Sequence, residues 1–187
     1  MSVTRMTIDG YGQIELNNCA FRRDGRIEAQ CAPDTTDFAT AMVENGMLLA
    51  VDNVARKVAF PTDSSLPVAL VYSAEHMYDE RKPGLKNFAL KGKDDFYPRL
   101  GYLAVGDKYT TNCISFDSAV DTAWTNESAF VSALESYAST ALYAGVAEDG
   151  SHKISATAPS VGPKLRVIEY TTMPDNQPAV KLQVYAC

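Results

Sequence analysis

Two histidines and four cysteines are the only imidazoles and thiols in this 187-residue chain, and their neighbours limit the chemistry they can do. His76 lies in Glu75-His76-Met77-Tyr78-Asp79-Glu80, an imidazole among carboxylates, with neither an HExxH pattern nor a second histidine nearby. A hydrogen bond or salt link that fixes its loop is the expected role. His152 follows Glu148-Asp149-Gly150-Ser151 and is expected at a turn. Cys113 sits in strand-like residues without a histidine near it in sequence, which predicts an inert thiol. Cys19, Cys31, Cys113 and Cys187 show no CxxC spacing, so they read as free thiols rather than a zinc site, with a Cys19–Cys31 pairing across a hairpin left open. Asp79-Glu80 and Asp94-Asp95 are carboxylate pairs, but adjacent acids beside many cations make surface ion pairs more readily than an acid–base dyad. Gly10-Tyr11-Gly12 lacks the third glycine, the lysine and the helix of a phosphate cradle, and Asn126-Glu127-Ser128 is a glycosylation acceptor only in a secreted chain. The expectation is a protein without catalytic residues, cofactor or metal.

Charge and aromatic content single out one segment. Between Arg81 and Arg99, six basic residues (Arg81, Lys82, Lys86, Lys91, Lys93, Arg99) stand against Asp94 and Asp95, a net +4 in a chain of net -6, which leaves the rest at -10. Met77, Tyr78, Phe88, Phe96 and Tyr97 are interleaved with these charges. Such a loop is suited to partner binding, with rings as buried anchors and cations steering encounter, or it is a solvated loop pinned by its rings. The candidate partner-binding residues are therefore Met77, Tyr78, Arg81, Lys82, Lys86, Phe88, Lys91, Lys93, Phe96, Tyr97 and Arg99. The acidic balance argues against direct nucleic-acid binding. No run approaches the ~20 apolar residues of a membrane helix, and Met1-Ser2-Val3-Thr4-Arg5 lacks the apolar core of a secretory signal, so cytoplasmic synthesis is expected.

Short strands at close spacing must position these residues. Leu66–Tyr72 and Leu100–Val105 are apolar runs on either side of the long segment Ser73–Arg99, and Tyr109–Asn112 continues in strand-like residues. Upstream, Ile14–Leu16 and Ile27–Cys31 flank the turn signal Arg23-Asp24-Gly25-Arg26 and predict a hairpin. Phe38–Glu44 reads as extended into the Asn45-Gly46 turn, after which Met47–Val51 is a buried strand and Lys57–Phe60 its return. Thr125–Ser128 starts one helix, with Phe130, Leu134, Tyr137 and Ala141 at helical spacing and an end near Ser139. Ala141–Val146 with Lys153–Ala156, and Lys164–Tyr170 with Val180–Tyr185, predict two further hairpins. The fold class is mainly β with one short helix (α+β), an antiparallel β-sandwich or barrel-like domain with a long aromatic and basic loop. One domain spans 1–187, with a possible seam near 115–126.

Five segments carry a resemblance. Glu44-Asn45-Gly46-Met47-Leu48 with Ala50-Val51-Asp52, His76-Met77-Tyr78-Asp79-Glu80-Arg81 with Pro83-Gly84-Leu85, Phe96-Tyr97-Pro98-Arg99-Leu100, Val105-Gly106-Asp107-Lys108-Tyr109-Thr110-Thr111-Asn112, and Met173 to Val184 together resemble small head proteins of tailed bacteriophages that decorate or cement the capsid. The resemblance implies a non-enzymatic virion protein on the outer face of the capsid, made in the bacterial cytoplasm, that binds the major capsid protein and self-associates. It brings no catalytic motif. An acidic chain suits the outside of a DNA-filled shell, and many copies on a lattice turn a modest contact into lasting attachment. The alternative expectation is a tail-tube protein or a tail or fibre module that recognises a host surface ligand through exposed aromatic rings.

Overall fold

The computed structural model describes residues 3–22, 27–62, 65–72, the backbone of 89–90, 97–118, 123–136, 141–160 and 162–187. The chain is mainly β with one short helix and packs as a β-sandwich with a barrel-like larger layer. That layer has eight strands in the order β1 (Val3–Arg5), β12 (Ile114–Asp117), β14 (His152–Ser155), β13 (Tyr143–Val146), β15 (Lys164–Thr172), β16 (Pro178–Ala186), β11 (Lys108–Thr111) and β2 (Ile14–Asn18). The second layer has six, β3 (Ala29–Gln30), β10 (Arg99–Gly101), β8 (Val68–Val71), β6 (Leu48–Asp52), β7 (Lys57–Ala59) and β4 (Ala32–Pro33), while β5 (Val43–Glu44) pairs with β9 (Ala89–Leu90). Pairing is antiparallel except for β12 with β14 and β4 with β7.

Alternation explains the layers. In β15 and β16, Leu165, Val167, Val180, Leu182 and Val184 face inward and are buried, each contributing about 1.5–3 kcal/mol of apolar burial. They meet Leu48 and Leu70 of the six-stranded layer and Phe130 and Leu134 of α1 (Glu127–Ser136) in one core. The other face of β6 and β8 supplies Leu49, Val51, Ala69 and Val71 to a second core with Phe38, Val43 and Met47. The central strands β6 and β8 are thus buried on both faces, which is why they are continuous apolar runs. Leu48 N–H donates to the Gly150 carbonyl at 2.7 Å and ties this layer to the turn before β14.

Local chemistry fixes the ends. Asn126 Oδ1 accepts from Ala129 N–H at 3.0 Å and caps α1, whose Phe130 ring stacks 4.7 Å from Phe116. Gly46 turns the chain into β6 at φ +85, and a Cβ there would collide with Thr111 Oγ1.

Three expectations need correction. The hairpin across 23–26 does not form: β2 joins β11 in the eight-stranded layer and β3 joins β10 in the other, because the long-range partners, not the turn, choose the sheet. Cys19 and Cys31 accordingly contribute to different cores and are free thiols. Phe38–Glu44 is extended only at β5, since Asp34 Oδ1 accepts from Thr36 N–H at 2.8 Å and winds the following residues into turns. The Leu100–Val105 strand stops at Gly101, and Val105 is 65% exposed in a turn. Of the 115–126 segment, Ser115–Asp117 belongs to β12 and Trp124 to the main core, while 119–122 lie outside the described residues.

Candidate functional site

The same eight strands carry polar chemistry on both faces. Inside, Tyr109 Oη stands 2.7 Å from His152 Nε2, and His152 Nδ1 stands 3.1 Å from the Cys113 carbonyl oxygen. A carbonyl only accepts, so Nδ1 carries the proton and Nε2 accepts from the tyrosine hydroxyl. His152 is not at a turn as its neighbours suggested; it begins β14 with no exposed surface. Burial lowers its pKa to about 4, against smaller opposing effects of the Cys113 hydrogen bond and the Asp149 charge. Burial also pushes the Cys113 thiol up to about 12 and Tyr109 well above its ordinary value. Beside them Arg5 Nη2 donates to Glu44 Oε2 at 2.7 Å, and Gly12 N–H donates to the same oxygen at 2.6 Å, which clasps β1 against β5. These groups bind one another in the interior as a structural network.

Outside, strands distant in sequence assemble a cationic and aromatic face. Tyr143 lies opposite Arg166, Arg166 opposite Gln183, and Gln183 opposite Lys108, a row across β13, β15, β16 and β11. The Arg166 guanidinium carbon is 5.7 Å from the Tyr143 ring centre and 5.6 Å from that of Tyr185, and the two rings are 5.9 Å apart. The three centres form a near-equilateral triangle, so both rings lie to the same side of the guanidinium, whose N–H donors suit a carboxylate. Lys153, Lys164 and Lys181 share this face by the same alternation that buries Ile154, Leu165 and Leu182. On strands β14, β13, β15, β16 and β11 these five cations meet one acid, Glu169, whose carboxylate is 3.7 Å from Lys181 Nζ, and the edge strand β2 adds Glu15. Pro159 folds over Gly145, where a Cβ would stand 3.0 Å from the proline ring, and this closes a cavity of about 310 Å³ beside Lys153 and Ser155. At the β2 edge a second cavity of about 380 Å³ is lined by Tyr11, Gln13, Glu15, Asn45 and Asp175; Gln13 Nε2 donates to the Asp175 carboxylate, and Gln177 Nε2 donates to it at 2.6 Å.

Of the candidate partner-binding residues, Tyr97 and Arg99 are described and the structure places both at the six-stranded layer. Tyr97 is 54% exposed and Arg99 is the exposed first residue of β10, opposite Gln30 of the edge strand β3. They do not join the cationic face of the larger sheet. Met77, Tyr78, Arg81, Lys82, Lys86, Phe88, Lys91, Lys93 and Phe96 lie outside the described residues, as do His76 and the pairs Asp79-Glu80 and Asp94-Asp95. Sequence reasoning missed the Lys108, Lys153, Lys164, Arg166 and Lys181 face, whose signal was the period-two run Lys164-Leu165-Arg166-Val167. No family model, curated protein or solved structure matches the chain.

Proposed function

We propose that this chain is a non-enzymatic structural protein that decorates the outer face of an assembled tailed-phage head, docking on an acidic surface of the major capsid protein. The supporting observation is the Tyr143–Arg166–Tyr185 cluster among Lys108, Lys153, Lys164 and Lys181 on a continuous sheet, in a chain of net charge -6. A sheet face loses little conformational entropy on docking; its rings supply desolvated area, and its cations select carboxylates while the acidic remainder repels wrong contacts. The resemblance to head proteins names the partner, and self-association of many copies on the shell supplies avidity. Neither DNA nor membrane is part of this reading.

The test is co-sedimentation with purified DNA-filled heads freed of tails. Stoichiometric recovery of the wild type, lost in Lys164→Glu/Arg166→Glu and retained in Arg81→Ala/Phe88→Ala/Phe96→Ala, supports docking through the sheet face. The opposite pattern moves docking to the 77–97 loop, and absence from heads overturns the proposal. The cavity lined by Tyr11, Gln13, Asn45 and Asp175 favours a second reading, a tail or fibre module that recognises a host glycan, because a ring beside amides and a carboxylate suits a polyol. Recovery with tails instead of heads supports that one.

A further inference from the structure

Where one end of the sandwich opens between its layers, a cavity of about 460 Å³ has walls from Leu66, Pro67, Val68, Leu103, Val146 and Pro163. The volume falls in the range of small-ligand sites, and the apolar walls make its water easy to displace. Arg22 is the one charged side chain among the described residues of the lining. Its guanidinium carbon stands 5.3 Å from the centre of the Tyr102 ring and its backbone N–H donates to the Tyr102 carbonyl at 3.0 Å, so one residue orients both ends of the arginine. Among the described residues no carboxylate forms an ion pair with it. The geometry points to a binding site for a small amphipathic carboxylate, with its alkyl or aryl body in the cavity and its carboxylate on the edge of the Arg22 guanidinium. A single cation matches a single negative charge, whereas a phosphate dianion would leave charge unneutralised against apolar walls. A saccharide would leave most of its hydroxyls unpartnered there, since among the described residues of the lining Thr62 supplies the one hydroxyl. The site is separate from the cationic sheet face and does not depend on the proposed decoration role.

Cys187 provides the readout. Its side chain lines the cavity and its thiol donates to the Leu103 carbonyl at 3.4 Å, whereas Cys31 and Cys113 are buried and Cys19 is partly covered. The experiment titrates octanoate against the intact chain and follows maleimide labelling of Cys187 by peptide mapping, with octanol as the uncharged control. Octanoate should protect Cys187 saturably, and protection should be about tenfold weaker with octanol, or with octanoate on Arg22→Gln, the usual loss of a charge-assisted contact. Because Arg22 is exposed, that variant leaves the core intact. Failure of octanoate to protect, equal protection by octanol, or an unchanged titration in Arg22→Gln would each overturn the assignment.

Discussion

The two faces of the eight-stranded sheet use similar side chains to opposite ends. Inside, a tyrosine, a histidine and a carbonyl close a hydrogen-bonded chain away from water; outside, two tyrosines and an arginine form a cluster that water can reach. A buried polar group that loses its partner leaves the other unsatisfied at full desolvation cost, whereas an exposed one is rescued by solvent. Inner substitutions should therefore move stability and spare attachment, and outer substitutions the reverse.

The largest stability effect is expected for His152→Ala, which removes a fully buried ring and strands the Tyr109 hydroxyl, while the Cys113 carbonyl keeps its bond from the backbone N–H of residue 152 at 3.0 Å. We expect a loss of roughly 3 to 5 kcal/mol by urea denaturation, with the proposed head attachment of the remaining folded protein unchanged. The same histidine predicts a pH dependence of comparable size. Its folded pKa of about 4 lies below the ordinary 6.5, so between these values the unfolded chain binds the extra proton. Stability should be full above pH 6.5, fall by roughly 3 kcal/mol as pH drops toward 4, and level off below. Asp34, lowered to about 2 chiefly by the Lys57 hydrogen bond, loses its contribution only below 3.8 and so leaves the histidine window clear. If the urea midpoint is as steep in pH between 6.5 and 4 after His152→Leu, the assignment to this ring fails. Tyr109→Phe keeps the ring and deletes one donor, for about 1 to 2 kcal/mol. On the outer face, Arg166→Ala should cost no more than about 1 kcal/mol of stability yet weaken attachment about tenfold, in a salt-dependent manner. Smallest is Lys181→Ala, under about 0.5 kcal/mol, because its 3.7 Å pair with Glu169 is exposed. A large stability loss from Arg166→Ala, or none from His152→Ala, would erase the contrast between the faces.

What the sequence made legible is what neighbouring residues decide. The hairpins β6–β7, β13–β14 and β15–β16 and the start of α1 follow from turn residues, caps and alternation within about twenty positions. The 23–26 turn signal misled because reversal is local whereas sheet membership is not. His152 looked like a turn residue because its strand begins immediately after Ser151, and the tyrosine that holds it is 43 positions away. The cationic face was hidden for the same reason. Lys108, Lys153 and Lys164 are unremarkable singly, and the register of β11, β16, β15, β13 and β14 gathers them, while the obvious run of charge at 81–99 drew attention elsewhere.

The placement of β1 and β2 governs how the chain matures. They are consecutive in sequence yet form opposite edges of the larger sheet, and the Thr110–Asn17 hydrogen bond that fastens β2 spans 93 residues. At a translation pace of roughly 5 to 20 residues per second, the first strands emerge roughly 5 to 20 seconds before the partners they need. A sticky strand held open that long would invite aggregation, but β2 reads Ile-Glu-Leu-Asn-Asn and is largely polar. The nascent amino-terminal segment can thus wait in solution until the locally paired carboxy-terminal hairpins give it a template.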